Sequence, residues 1–299
     1  MNQGLSVLIP TYNVLCVSLV EQLYAQLVAS GIAFEIIVAD DGSTQAAVIE
    51  GNRAITRFSG CQYIERKENV GRAAIRNFLV QKAQYESLLF IDSDMTMLSD
   101  QFISRYLACK SEGVIDGGIA VCPSPNEIEQ LQHNLRYRYE KSLEPQHTAI
   151  QRQQRAYQHI HTANLWVPRS VMLENPFDER IRHYGYEDVL LGKQLHKQHI
   201  PILHIDNPMG FSTFETNEQF VAKTEEGLRT LYQFRSDLRG YSRLLTFVSG
   251  IHIPLILWLI RLGHQLFSKA ERRNLCSSHP SLLIFRLYRL GYYLSLGTK

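Results

Sequence analysis

The sequence has little of what would mark a chain as secreted, membrane-spanning or nucleic-acid binding. Its five cysteines, Cys16, Cys61, Cys109, Cys122 and Cys276, are odd in number, scattered, and form no C-x-x-C pair. That excludes a disulfide framework and a thiolate zinc site, and fits a reducing cytoplasmic setting. Net charge is nearly absent, with 31 Lys and Arg against 29 Asp and Glu for +2 at pH 7, so the whole chain carries no electrostatic footprint for nucleic acid. Long apolar runs are also missing. The nearest, Leu244 to Ile260 between Arg243 and Arg261, is interrupted by Ser249, Gly250, His252 and Pro254 and is marginal for a spanning helix. The opening MNQGLSVLIPTYN has no basic region followed by a long apolar stretch, which predicts no cleaved secretory signal. No internal repeat at solenoid periods is visible.

What is present is 299 residues of globular composition, 45% hydrophobic and 20% charged, enough for one large domain or two small ones. Leu5 to Ile9 reads as a buried strand, and Val17 to Ala29 carries helical spacing at Val20, Leu23, Leu27 and Val28. Glu35 to Ala39 is a second strand, stopped by Asp40-Asp41-Gly42-Ser43. Gln62 to Ile64 offers a short third, a helix capped by Asn69 is expected from about Gly71 to Ala83, and Leu88 to Ile91 is the next strand. This alternation predicts an α/β fold with a mostly parallel central sheet flanked by helices. Farther on, the pattern predicts a helix over about Asp100–Glu112, a strand near Val114 to Val121, an extended Ile160 to Val167, a short helix at Pro168 to Leu173, a helix over Glu187–Lys197 and a last strand at Pro201 to Ile205.

Ligands of such sheets bind beyond the carboxyl ends of the strands, where Pro10-Thr11-Tyr12, Asp40-Asp41 and Asp92-Ser93-Asp94 fall. Asp92 and Asp94, at i and i+2, project to one side of an extended segment, an arrangement that suits Mg²⁺ or Mn²⁺ completed by substrate phosphates. Taken alone, D-x-D is more often a polar turn. Arg72 and Arg76 lie one helical turn apart near a helix amino end and suit a diphosphate, or else form a solvated basic face. Glu187-Asp188 opens a helix whose dipole stabilises negative charge; an ionised Asp188 there can serve as a general base, and simple charge compensation is the plainer alternative.

In order, Val7 to Asn13, Glu35 to Ser43, Asn69-Val-Gly71 with Arg76-Asn77, Phe90-Ile-Asp-Ser-Asp94, Thr162-Ala-Asn-Leu165 and Gly185-Tyr-Glu-Asp188 resemble the family 2 glycosyltransferases of GT-A fold. The resemblance covers about residues 4–215. It implies a nucleotide-sugar donor, usually a UDP-sugar, a divalent cation (Mn²⁺ or Mg²⁺) and transfer with inversion. It implies that Pro10, Thr11 and Tyr12 surround the base, that Asp41 receives a base N–H, and that Arg72 and Arg76 face the donor. Asp92 would approach the ribose or the water shell of the metal, Asp94 would ligate the metal, Asp188 would deprotonate the acceptor hydroxyl, and Glu187 would bind acceptor or donor hydroxyls. Related enzymes often carry a metal-binding histidine where this chain reads His204-Ile-Asp-Asn-Pro-Met-Gly-Phe211. Phe211 stands at that place, so His204 is a weak substitute ligand, and a lone histidine after an apolar run is more often packed structure. Trp166 and Tyr184 are candidates to flank the sugar pocket, although aromatic residues beside apolar ones are usually core.

The resemblance divides the chain into a catalytic region over residues 1–235, with a nucleotide-sugar half of about 1–100 and an acceptor half of about 101–235, and a helical, basic and apolar extension over 236–299. From residue 261 onward, seven basic residues face Glu271 alone. Leu282 to Leu294 interleaves aromatics, aliphatics and arginine, so the extension reads either as an interfacial anchor on the inner face of a membrane, serving a glycan or lipid-linked acceptor, or as a helical pair packed on the domain. The roles competing with a surface-glycan transferase are a sugar-nucleotide nucleotidyltransferase, which would want a Gly-rich phosphate loop after the first strand, and a non-catalytic nucleotide-sugar-binding protein.

Overall fold

The computed structural model describes residues 4–109, 111 and 113–298. Ten strands run in chain order as β1 (Leu5–Thr11), β2 (Phe34–Asp40), β3 (Cys61–Glu65), β4 (Ser87–Ile91), β5 (Met95–Met97), β6 (Val114–Asp116), β7 (Ile119–Val121), β8 (Asn164–Pro168), β9 (Ile202–His204) and β10 (Met209–Phe211). The helices are α1 (Val17–Ser30), α2 (Ala46–Arg53), α3 (Arg72–Lys82), α4 (Phe102–Ala108), α5 (Ile128–Leu131), α6 (Leu135–Leu143), α7 (Ala149–Gln153), α8 (Arg169–Glu174), α9 (Glu187–Lys197), α10 (Asn217–Gln233), α11 (Arg243–Gly250), α12 (Pro254–Leu275) and α13 (Leu282–Ser295).

The main sheet has seven strands in the order β3-β2-β1-β4-β8-β6-β9, all parallel except β8, which opposes both β4 and β6. It is the flanked, mostly parallel sheet that the βα alternation predicts. Leu5, Val7, Leu8 and Ile9 of β1 are all buried, because helices cover both faces of a parallel strand. Alternate residues feed opposite layers. Val7 and Ile9 pack with Leu19, Leu23 and Leu27 of α1, while Leu8 packs with Ile75 and Leu79 of α3 and with Leu165, Leu191 and Leu195.

The reversal of β8 matters for function. Because Ile91 pairs with Asn164, the segment entering β8 lies at the edge where β1, β2 and β4 leave the sheet. Asn164 pins that corner. Its amide donates to the carbonyls of Gly118 and Asn207, both at 2.8 Å, and its oxygen accepts from the Tyr106 hydroxyl at 2.6 Å.

Some expectations are corrected. The stretch Val114 to Val121 is two strands in different sheets, because Gly117 and Gly118 turn the chain where no side chain fits. A Cβ on Gly117 would lie 2.3 Å from the Tyr106 oxygen, and Gly118 sits at φ +79°. β7 then joins β10 and β5 in a three-stranded sheet, which short strands without clear alternation did not announce. The cap of α3 is Gly71 at φ +91°, not Asn69. The helix expected from Asp100 to Glu112 is α4 alone, and Lys110 and Glu112 lie outside the described residues.

At the carboxyl-terminal end, α13 packs into the domain, with Phe285 and Tyr288 against Leu135, Val221 and Leu275 and Tyr293 against Leu231 and Leu238. α12 pairs with α13 through His264, whose ring lies 5.1 Å from that of Tyr288. The apolar run 244–260 is broken between α11 and α12, where Ile253 is extended ahead of Pro254. Among the described residues no helix is long and apolar enough to cross a membrane.

Candidate active site

At the carboxyl edge of the main sheet two cavities meet. One, of about 300 Å³, is lined by Pro10, Thr11, Tyr12, Asp41, Arg76 and Ser93 among others. The other, of about 380 Å³, is lined by Arg136, Glu140, His161, Asp188, Phe211 and Lys223 among others. Arg72, Asp92, Asp94 and Tyr184 border both. The structure therefore gathers Pro10, Thr11, Tyr12, Asp41, Arg72, Arg76, Asp92, Asp94, Glu187 and Asp188 around one continuous cleft.

Asp41 forms part of the floor of the smaller cavity. Its two carboxylate oxygens accept the backbone N–H groups of Val70 and Gly71, both at 3.0 Å, which fixes the loop leading into α3. Desolvation raises its pKa, and the two N–H bonds oppose the rise. Tyr12 stands exposed at the rim, and Thr11 is buried, with its hydroxyl on the Val14 carbonyl at 3.2 Å.

The helix that follows carries Arg72 and Arg76 on one face, and both reach the same two acids. Arg72 bonds Asp92 at 2.9 Å and Glu187 at 2.6 Å; Arg76 bonds Asp92 at 2.6 Å and lies 3.7 Å from Glu187. Arg76 is 1% exposed, and its Nε has no partner among the described residues. Burial alone would raise the pKa of Asp92, but the charges of Arg76 and Arg72 outweigh it and hold the carboxyl below the usual range. The same balance of burial against Arg72 and Arg76 lowers Glu187. Both acids are thus ionised anchors for the arginines.

Their sequence neighbours behave oppositely. Asp94 opens to the cleft, where desolvation and then the charge of Asp92 raise its pKa against the pull of Arg72 and Arg136. Asp188 is pushed up to about 6 by burial and by Glu187, against the charge of His161 and the Val189 N–H. Two adjacent carboxylates, one lowered and one raised, are the pattern by which sites separate a fixed charge from a proton carrier. Glycine at position 185 (φ +98°) and Tyr186 (φ +72°) take left-handed backbone just before α9, aiming Glu187 inward and leaving Asp188 on the larger cavity.

His204 does not reach the cleft. It is buried on β9, where its Nδ1 accepts from Arg152 Nε at 3.2 Å and its Nε2 lies 3.0 Å from the Ala156 carbonyl oxygen. Both ring nitrogens are engaged in structure. Trp166 likewise stacks on Tyr106, with centroids 5.6 Å apart, and borders neither cavity. Tyr184 does border both, with the Arg72 guanidinium 5.8 Å from its ring.

Among the described residues no group of three His, Cys, Asp or Glu is arranged to hold a metal ion. The donor set fits a substrate-completed cation all the same. Asp94 is a free carboxylate at the cleft, whereas both oxygens of Asp92 are taken by arginine, and Mg²⁺ or Mn²⁺ sites of one carboxylate plus substrate phosphates are common.

Several residues here escaped sequence reasoning. His161 donates its backbone N–H to buried Asp116 at 2.6 Å and holds its ring 3.3 Å from the same acid. Its pKa is raised because Asp116 outweighs the cost of burial. It directly precedes Thr162-Ala-Asn164, the one signal that could have found it. Arg136, Lys223 and Arg289 come from helices with no motif of their own.

The sequence profile of glycosyl transferase family 2 matches residues 6–173. An uncharacterized glycosyltransferase of Haemophilus influenzae is 32% identical over 108 residues, 34% of this chain and 40% of that protein, so the chain spans well under half of that relative. Among solved structures, the mannosyltransferase PcManGT of Pyrobaculum calidifontis, in complex with GDP-Man and Mn²⁺, superposes with a TM-score of 0.54 at 12% identity, covering 100% of this chain and 89% of that one. Residues 1–349 of TarS from S. aureus, in complex with UDP-GlcNAc, superpose with a TM-score of 0.50 at 16% identity, covering 98% and 90%. These likenesses show the GT-A fold. With the profile spanning more than half of the chain, the chain belongs to glycosyl transferase family 2.

Proposed function

We propose that this protein transfers a sugar from a nucleoside-diphosphate donor to an acceptor hydroxyl in one inverting displacement. The observation that carries the reading is the position of Asp188, a carboxylate with a pKa near 6, on the larger cavity, whose border with the smaller one is formed by Arg72, Asp92, Asp94 and Tyr184. In this reading the smaller cavity takes the nucleotide, and Arg72 meets the diphosphate at the junction. Asp188 accepts the acceptor hydroxyl proton while the hydroxyl oxygen attacks the anomeric carbon and the diphosphate departs from the opposite face. No covalent enzyme intermediate forms, so the anomeric centre inverts. Asp94, together with the donor diphosphate, would hold a divalent cation that neutralises charge on the leaving group.

A uridine diphosphate sugar is the first donor class to test. Each oxygen of Asp41 keeps a lone pair beyond its backbone N–H bond, which supports its accepting a base N–H. The solved relatives carry GDP-Man in one case and UDP-GlcNAc in another, so GDP-sugars form the second arm. The acceptor is proposed to be a glycan or lipid-linked glycan, in the building of a surface polysaccharide or glycolipid. Aromatic faces at Tyr139, Phe220 and Phe285 in the larger cavity support a sugar ring there. Pro10-Thr-Tyr-Asn13, which ends β1 and follows it, is no Gly-rich phosphate loop, which disfavours nucleotidyl transfer.

The test is release of nucleoside diphosphate from a panel of nucleotide sugars, with and without Mn²⁺, by the native protein and by Asp94→Ala and Asp188→Ala. Turnover of one donor that both variants abolish supports the reading. Binding of a donor without turnover under any condition would leave a nucleotide-sugar-binding protein in its place.

A further inference from the structure

The carboxyl-terminal helices leave uncovered an apolar surface that the catalytic reading does not use. Phe247, Ile253, Leu255, Ile256, Trp258, Leu259, Leu266 and Phe267 are each more than 40% exposed. On α12, positions 255, 259, 262, 266, 269 and 273 follow one another at three- or four-residue steps and so form one stripe. The first four are leucines and the last two are Lys269 and Arg273. The opposite side of the helix, with His264 and Leu275, is the side that meets α13. A helix that packs on a domain ordinarily turns its apolar stripe inward. Here the stripe points away, and α13 adds exposed Leu283 and Leu287 to the same carboxyl-terminal pair.

The charge pattern selects the occupant. Arg261, Lys269, Arg273 and Arg286 make no ion pair among the described residues, whereas Arg272 is held by Glu225. After Asp237 the chain holds a single acid, Glu271, and it is engaged by His264 at 2.7 Å. A two-fold contact between copies would set this patch against itself, with unpaired basic residues on both sides and no carboxylate to meet them. Apolar side chains flanked by unpaired Lys and Arg, with a tryptophan five residues into the helix, instead match the interface of a bilayer that carries anionic lipid.

We propose that α12, with the exposed edge of α13, lies flat in the surface of an anionic membrane. Docking does not depend on the glycosyltransferase reading. Combined with it, docking names the acceptor class, because Phe285 and Arg289 of α13 line the larger cavity. An acceptor joined to a lipid then reaches Asp188 without leaving the bilayer.

The experiment is co-sedimentation of the full chain with vesicles of phosphatidylcholine alone and of phosphatidylcholine mixed equally with phosphatidylglycerol, with tryptophan emission recorded alongside. The chain has two tryptophans, and Trp166 is packed on Tyr106. Expected are binding to the anionic vesicles and a blue shift that Trp258→Phe removes. Lys269→Glu with Arg273→Glu should weaken partition by roughly tenfold or more, and Leu259→Glu with Leu266→Glu should abolish it. All four positions border solvent, so these variants should keep the native melting temperature. No binding to either vesicle, or binding indifferent to both pairs, overturns the proposal. So does a dimer in light scattering without lipid that Leu259→Glu dissociates, since the face would then belong to a second copy. None of these readouts uses sugar transfer, so donor turnover can fail while docking stands.

Discussion

The guanidinium carbon of Arg136 lies 5.1 Å from the centre of the Phe211 ring. Phe211 pairs with Met95, the residue after Asp94, so a cation carried by the protein stands over an aromatic ring beside the cleft's free carboxylate. Glu215 holds Arg136 in place through an ion pair. The strand that faces Asp94 thus contributes a hydrocarbon ring and no metal ligand.

Mn²⁺ should accordingly bind the free protein weakly and bind better once the nucleotide supplies phosphate oxygens. The coupling is expected at roughly 5–150-fold and must be reciprocal. Free Mn²⁺ measured by electron paramagnetic resonance, with and without UDP, checks it. Phe211→His should raise Mn²⁺ affinity in the absence of nucleotide; equal affinity in both proteins would show that position 211 does not face the cation.

Asp188→Asn should lower transfer by about 10²–10⁴-fold, the usual contribution of a positioned base, with donor affinity little changed. A general base works only when ionised. With a pKa near 6, kcat/KM should be level above that pH and fall about tenfold for each unit below it. A pH profile flat down to 4.5, the ordinary range of a carboxylate, would remove Asp188 from the role.

Arg76→Met leaves the buried Glu187 and the partly buried Asp92 facing Arg72 alone, and should cost about 3–5 kcal/mol of stability by denaturant unfolding. The pKa values of Asp92 and Glu187 are lowered in the fold, so their contribution is complete above the ordinary carboxylate range and disappears as pH falls through the lowered values. The deficit of the variant should therefore be largest near neutrality and shrink in acid. A deficit independent of pH would trace the loss to packing against Phe177 instead.

Gly71→Ala puts a side chain where φ is +91° and the new Cβ would meet the Arg182 carbonyl oxygen at 3.1 Å. About 1–2 kcal/mol of destabilisation is expected. Because Gly71 also donates to Asp41, affinity for UDP should fall with it, as isothermal titration would register.

The sheet was legible because β1, β2 and β4 are short apolar runs, the first two closing on Thr11 and Asp40 and the third running into Asp92, and their length with polar turn residues at the end marks strands buried on both faces. Asp41, Arg72, Asp92, Asp94 and Asp188 were legible by ordered spacing. Which of two adjacent acids holds arginine and which stays on the cleft was not, since Glu187 and Asp188 differ only in the direction that Gly185 and Tyr186 impose. Arg136 and Lys223 were also out of reach. Each is an ordinary helical residue until Glu215, on the loop before α10, pairs with both.

Arg76 has one further consequence. Its two carboxylates come from positions 92 and 187, and Leu8, Ile37 and Ile75 share one core layer with Leu165, Leu191 and Leu195. A fragment ending near residue 100 would retain the guanidinium but lose Glu187 and half of the hydrocarbon beneath it. Proteolytic clipping, split expression or domain grafting at that point should thus yield aggregation rather than a separable nucleotide-binding piece, and the two ends of the cleft should melt in a single transition.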